Sequence, residues 1–295
     1  MSSGAMLDAA LLRGLPLPRH GEGDDKNARG AVLVAGGCRE VPGAVLLAGT
    51  AALRAGAGRL QLASAASVAV PMALAMPEAR VIALPETPDG AIDGSAADLL
   101  AERAARAGAL VLGPGMMGGG HSADLVAGLL PKLEGPALVL DGAVLEALPD
   151  QREVLRRHAG RAVITPHDGE MARLLGTSRQ AVLADPLSAA REAAARLQVV
   201  TVMKGGCTHV VTPEGRSWRH DAGNAGLATS GSGDVLAGVI AGLLARGAAP
   251  LKAALWGVFL HGEAGRRLAR DQGPVGFLAR ELPAGLPRIL AEMAG

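Results

Sequence analysis

Short uninterrupted apolar runs recur along the chain, and most are followed by stretches whose apolar positions fall three and four residues apart. The run AVLVAGG, Ala31 to Gly37, ends in glycines, the pattern of a strand buried on both faces of a sheet. Similar runs predict strands at Arg59–Ser64, Arg80–Leu84, Ala109–Gly113, Ala137–Asp141, Ala162–Thr165, Val199–Lys204 and His209–Thr212. Between them the helical spacing predicts helices over Pro42–Gly58, Ser95–Ala107, Ser122–Leu130, Gln151–Arg157, Gly169–Leu175 and Leu187–Leu197. After Thr212 the pattern predicts helices alone: Asp234–Arg246, Pro250–Arg270 and a shorter one at the end of the chain.

Alternation of this kind predicts a mostly parallel central sheet covered by helices on both faces, a three-layer αβα fold. The stretch VVTVMKGGCTHVVT breaks the rhythm, since two strands meet across a tight glycine turn. It predicts a hairpin, and so an antiparallel strand near one edge of the sheet. Residues 1–25 read as a polar leader and 26–295 as a single domain, without an internal repeat or clear linker. In such a domain ligands bind beyond the carboxyl ends of the strands, so the loops that follow strands hold the candidate chemistry.

Composition narrows the ligand. The chain carries 29 Lys and Arg against 28 Asp and Glu, so no net field draws in nucleic acid or an anionic membrane. It has no Tyr, two Trp and two Phe, too few aromatic faces for a base-stacking platform. Cys38 and Cys207 form no ligand or redox pattern, which places the chain in a reduced, cytoplasmic setting. The first residues lack the basic and apolar regions of a signal peptide, and no uncharged apolar run reaches the roughly 20 residues of a membrane helix. A small-molecule partner is expected.

Four post-strand segments carry chemistry. In ALVLGPGMMGGG, Gly113, Gly115 and Gly118 satisfy GxGxxG, but the glycine run through Gly120 delays the helix that a dinucleotide fingerprint requires at once. A loop that lets a ligand reach the backbone remains, beside a plain connection. In VITPHDGEMARLLG, Pro166 turns the chain and leaves His167 on a loop at the sheet's carboxyl edge; such a histidine can equally be solvated. In VMKGGCTHVV, Lys204 with Gly205 and Gly206 offers a cation and open backbone N–H groups to an anion, or forms an ordinary hairpin turn. No Walker A sequence is present.

The last segment, NAGLATSGSGDVLAGVIAGLLARG, sets Asp234 between glycines and an apolar helix. Gly231 and Gly233 free backbone N–H groups at the helix start, where the dipole and those groups make an anion site. Asp234 could cap the helix, or accept a proton from a hydroxyl while the amides around Ser232 hold a phosphate. Capping needs one such residue and leaves the glycines flanking Ser232 unexplained, so the catalytic reading leads.

Taken together these segments resemble the ribokinase-like superfamily, in which a G-x-G-D anion hole and its aspartate serve phosphoryl transfer. Within it, GGCREVPGAVLLAGTAALRAGAG, GPGMM, TPHDGE, KGGCT and NAGLATSGSGDVLAGVIAGLLARG closely resemble the segments of the ADP-dependent (S)-NAD(P)H-hydrate dehydratases, homologous to the C-terminal half of YjeF-type proteins. The resemblance spans roughly Lys26 to Leu290. It implies repair of hydrated NADH and NADPH, the S epimer alone: ADP, or ATP, phosphorylates the C6 hydroxyl and phosphate is expelled.

The same resemblance implies residue roles. Asp234 would be the base, with Gly231, Ser232 and Gly233 as anion hole. Lys204, Gly205, Gly206, Cys207, Thr208 and Gly233 would contact the adenine nucleotide; Ala44, Gly115, His167 and Asp234 would contact the hydrated dinucleotide. Mg²⁺ would ride on the phosphates, without a metal-ligand set of the protein's own, and the chain would form a homo-oligomer. One segment departs from the family: D-A-D-A-L-N reads DGAVLE here, keeping Asp141 but placing Ala143 and Glu146 at the second acid and the asparagine. The competing readings are a ribokinase-like kinase of a small vitamin-precursor alcohol, and a nucleotide-binding protein without turnover.

Overall fold

A computed structural model describes residues 4–19, 21, 23, 25–221 and 224–294. In chain order its elements are β1 (Ala5–Met6), α1 (Ala9–Arg13), β2 (Ala31–Ala35), α2 (Gly43–Arg54), β3 (Arg59–Ala65), α3 (Ala66–Ala75), β4 (Ala79–Leu84), α4 (Ala97–Ala104), β5 (Ala109–Leu112), α5 (Gly120–Leu129) and β6 (Ala137–Leu140). They continue as α6 (Arg152–Arg157), β7 (Ala162–Ile164), α7 (Asp168–Leu175), α8 (Arg179–Ala184), α9 (Pro186–Leu197), β8 (Val200–Met203), β9 (Thr208–Val211), β10 (Ser217–His220), α10 (Ser232–Ala245), α11 (Pro250–Gln272) and α12 (Leu282–Ala294).

Among the described residues the strands form one sheet in the order β1-β10-β9-β8-β7-β6-β5-β2-β3-β4. Pairing is parallel from β4 across to β8, and β9 is antiparallel to both β8 and β10. The mostly parallel sheet and the hairpin therefore stand as the alternation and the glycine turn predict.

Side-chain alternation along the central strands sorts the two cores. Val32, Val34, Val111, Val139 and Val163 face α2, α10 and α11. Leu33, Leu110, Leu112, Leu138, Leu140 and Ile164 face the layer of α4, α5, α7 and α9. On the first face α2 and α10 pack closely against each other. A Cβ added at Gly238 of α10 would stand 2.1 Å from the Ala48 carbonyl oxygen of α2, and one at Gly242 would stand 2.5 Å from that of Ala52. Glycine is required there for close approach rather than for backbone freedom.

Four features escaped the periodicity. Strand β10, with sequence SWRH, follows the hairpin where helices alone are predicted; it is half-buried throughout, and so has no apolar run to reveal it. Helix α3 holds Pro71 and buries only Ala69 and Met72. In α8 only Val182 is buried. Part of the N-terminal stretch read as a polar leader also packs: β1 pairs in parallel with β10, and Leu7 and Leu12 are buried against the α11 and α12 side. No helix among the described residues is long and apolar enough to cross a membrane.

Candidate active site

The carboxyl ends of β6, β7 and β8 deliver three groups to one place. Asp141 follows β6, Thr165 follows β7 and Lys204 follows β8. The Lys204 main-chain N–H donates to the Pro166 carbonyl at 2.8 Å, tying the last two loops together. The Lys204 ammonium lies 2.8 Å from Asp141 Oδ1 and 3.6 Å from Glu170 Oε2. Asp141 Oδ1 also accepts from the Thr165 hydroxyl at 2.6 Å. Burial opposes the charge on Lys204, but Asp141, Glu170 and Asp234 more than offset it and hold the ammonium above the usual lysine range.

Glu170 is placed by a reciprocal cap. His167 is the N-cap of α7: its Nδ1 accepts from the N–H groups of Gly169 and Glu170 at 2.9 and 3.3 Å, and the Glu170 carboxylate accepts from the His167 N–H at 2.8 Å. This is a capping box with histidine in the usual Ser or Thr position.

The start of α10 excludes Asp234 as its cap. Gly231 is the N-cap, in the left-handed region at φ +88°, and no side chain caps the helix. Asp234 lies inside the first turn and is not the cap. Burial pushes its carboxyl up to about 7, the negative charge of Asp141 adds to this, Lys204 opposes it and Glu170 adds again. A half-buried carboxyl with an affinity near neutral pH suits proton abstraction from a hydroxyl.

Helix packing determines what Asp234 faces. The contacts of Gly238 with Ala48 and Gly242 with Ala52 advance together, so α2 and α10 run side by side, and one turn earlier the same register sets Asp234 beside Ala44. A Cβ at Gly115 would lie 2.8 Å from the Ala44 Cβ. Ala44, Gly115 and Asp234 thus gather on one side. A Cβ at Gly233 would lie 3.1 Å from the Lys204 Nζ, which puts the β8 loop on the other.

On that other side a cavity of about 550 Å³ is lined by His167, Lys204, Gly205, Gly206, Thr208, Ser232 and Gly233, with Leu227, Leu236 and Val258 forming apolar wall. Two groups of anticipated residues therefore meet at the N-terminus of α10. Cys207 is the member of the β8–β9 loop that does not line the cavity. Burial and Asp221 push its thiol up to about 11, so it offers no thiolate. Lys204 lines the cavity but spends its charge on the carboxylates beneath.

Sequence reasoning missed Glu170, His220 and His261. All three reach the site through tertiary packing, and only the E of TPHDGE carried a local signal. Of the two departures from the family segment, Glu146 pairs with Arg173 at 2.5 Å, and Ala143 brings no polar atom. Among the described residues no three His, Cys, Asp or Glu side chains are grouped to hold a metal ion.

The sheet order and the glycine-capped start of α10 beside the cavity define an α/β enzyme with the ribokinase-like fold. A ribokinase-like superfamily protein from Enterococcus faecalis shares it with a TM-score of 0.83 at 24% identity, over 98% of this chain and 96% of that one. The chain belongs to the NAD(P)H-hydrate dehydratase family, whose sequence pattern matches residues 32–288. It is 50% identical over 283 residues to the ADP-dependent (S)-NAD(P)H-hydrate dehydratase of Xanthomonas campestris, covering 96% of this chain and 94% of that protein. The ADP/ATP-dependent NAD(P)H-hydrate dehydratase of Bacillus subtilis, co-crystallized with ATP and Mg²⁺, superposes with a TM-score of 0.81 at 28% identity, over 99% of this chain and all of that one.

Proposed function

We propose that this enzyme restores NADH and NADPH from their S hydrates, consuming ADP and releasing AMP and phosphate. The observation that carries the reading is the placement of Asp234: it sits inside the first turn of α10, between the nucleotide-sized cavity and the Ala44–Gly115 side.

Asp234 removes the proton from the C6 hydroxyl of the hydrated ring, and the oxygen attacks the terminal phosphorus of ADP as the bond to AMP breaks. The main-chain N–H groups at Gly231 and Gly233, with the helix dipole, would hold the charge that builds on the transferred group, usually the dominant contribution in such transfers; the Ser232 N–H, which donates to the Thr229 carbonyl at 3.2 Å, would have to turn from it to join them. The ring nitrogen then expels phosphate from C6 with its lone pair, and C5 gives up a proton to complete the dihydropyridine. Expulsion driven from within the ring needs no separate acid.

Lys204 serves this chemistry by holding Asp141 and Glu170 in place and by limiting the rise in the proton affinity of Asp234. Gly205, Gly206 and Thr208 would follow the nucleotide with main-chain contacts, Cys207 standing back from the cavity between them; Ala44 and Gly115 would border the dinucleotide on their side, His167 would reach it from the nucleotide cavity that it lines, and Mg²⁺ would shield the phosphates. From the family resemblance the reading also includes a homo-oligomer and a cytoplasmic setting; Cys38 and Cys207 are both free thiols, in keeping with the latter.

The test is incubation with acid-prepared NADH hydrate, Mg²⁺ and ADP, followed at the reduced-nicotinamide absorbance band. Recovery of the band with stoichiometric AMP and free phosphate is expected. A product that retains its phosphate, or no recovery with either ADP or ATP, overturns the reading.

A further inference from the structure

Two histidines line the cavity without a part in the chemistry above, His220 at the end of β10 and His261 on α11. Each has one ring nitrogen committed to a main-chain carbonyl. His220 Nδ1 lies 3.0 Å from the Leu7 oxygen. His261 Nε2 lies 3.0 Å from the Ser232 carbonyl oxygen and 3.0 Å from the Ser232 hydroxyl. A carbonyl only accepts, so in both rings the committed nitrogen carries the hydrogen. The other nitrogen of a neutral imidazole is then an acceptor. Burial keeps His261 neutral, pushing it down to about 4.

Neither His220 Nε2 nor His261 Nδ1 has a hydrogen-bond partner among the described residues, and neither is sealed in the interior. The cavity wall is mainly apolar, with Ala225, Leu227, Leu236 and Val258, and carries the hydroxyls of Thr208, Thr229 and Ser232. The nearby Asn224 amide is bonded at both ends, accepting from the Gly226 N–H and donating to the Gly265 carbonyl. An apolar slot with two fixed acceptors matches a flat heterocycle that bears a hydrogen-bond donor.

We propose that His220 Nε2 and His261 Nδ1 accept from the exocyclic 6-amino group of an aminopurine and make the cavity select adenine over 6-oxopurine nucleotides. This deepens the reading of the cavity as the adenine-nucleotide side and rests on it. The amino group offers two hydrogens to two acceptors. A 6-oxo group instead points lone pairs at lone pairs and leaves both nitrogens unpaired, and a site built for a donor rejects its replacement strongly. His220 is held in its tautomer by Leu7, so the segment that follows β1 enters base selection as a support.

Calorimetric titration of the full chain with ADP, IDP and the diphosphate of unsubstituted purine riboside tests this without turnover, so failure of dinucleotide repair and failure of base selection read separately. Wild type is expected to bind IDP at least about tenfold more weakly than ADP, with the unsubstituted purine between them. His220→Leu is expected to narrow the gap between ADP and IDP. The purine comparison uses unaltered protein and stands even if that variant folds poorly. A wild-type gap below about fivefold, unsubstituted purine binding no better than IDP, or a gap that folded His220→Leu leaves unchanged overturns the proposal.

Discussion

The ammonium of Lys204 stands 2.8 Å from Asp141 Oδ1, under a helix start where a phosphate is expected. A lysine at the end of a strand, followed by glycines, reads from sequence as a phosphate contact. The structure gives it a different neighbourhood, with Asp141 and Glu170 within ion-pair distance and the Asp234 charge also acting on it. It is the positive centre of a carboxylate cluster, and among the described residues Asp234 is the member outside ion-pair distance of a cation.

Replacing that cation should show in the pH profile. Lys204→Met leaves Asp141 and Glu170 unneutralised, so Asp234 becomes harder to ionise and the rising limb of kcat against pH moves alkaline by about one unit. Breaking a buried pair also destabilises, by about 3 kcal/mol. Combining the change with Asp141→Asn should recover part of both losses. An unshifted pH limb in a folded Lys204→Met protein would show that the lysine does not act on the base.

Asp234→Asn should abolish turnover, a loss of at least about 10³-fold, and yet stabilise the fold at alkaline pH. The folded-state carboxyl is raised to about 7, above its value of 3.8 in the free chain. Its contribution to stability is therefore fully present below about 4 and is lost as pH climbs to about 7. Above that, the wild type carries a disfavoured, half-buried charge that the amide lacks. Thermal melts should show Asp234→Asn more stable than wild type by about 1–3 kcal/mol at pH 8, with the advantage shrinking toward pH 4. A melting difference that does not grow with pH would remove burial as the cause of the raised affinity.

Gly238→Ala tests the helix pair that brings Ala44 beside Asp234. Alanine ordinarily improves a helix interior by about 1 kcal/mol. Here its methyl would lie 2.1 Å from the Ala48 carbonyl oxygen, and backbone cannot yield as a side chain does. A net loss of about 2 kcal/mol is expected, together with reduced turnover because α2 and α10 must part near the site. A neutral or stabilising effect in chemical denaturation would mean that the two helices are not in this register.

Much of the fold was legible because burial on both faces writes itself as continuous apolar runs; β2, β5 and β6 are such cases, with every side chain buried or nearly so. Strand β10 was illegible because it lies next to the sheet edge and keeps Trp218, Arg219 and His220 only half-buried. The site divides in the same way. Ser232, Gly233 and Asp234 could be read because glycines beside an acid at a helix start form a local pattern. Glu170 and His261 could not, since their roles arise from contacts with residues 34 and 29 positions away, Lys204 and Ser232. Sequence spacing also could not tell the cap of α10 from its first turn, because that hinges on the left-handed backbone of Gly231.

His167 performs two tasks that one substitution series can separate. Its Nδ1 caps α7 by accepting from Gly169 and Glu170, while its ring borders the cavity that the proposed reaction uses. Asparagine keeps a short acceptor suited to the cap; alanine keeps neither function. His167→Asn should therefore melt close to wild type, and His167→Ala should lose about 1 kcal/mol with the cap. Both should raise KM for the hydrated dinucleotide about tenfold if the ring touches substrate. Should His167→Asn retain both the melting temperature and the KM, the histidine serves only to start α7 and to place Glu170 against Lys204.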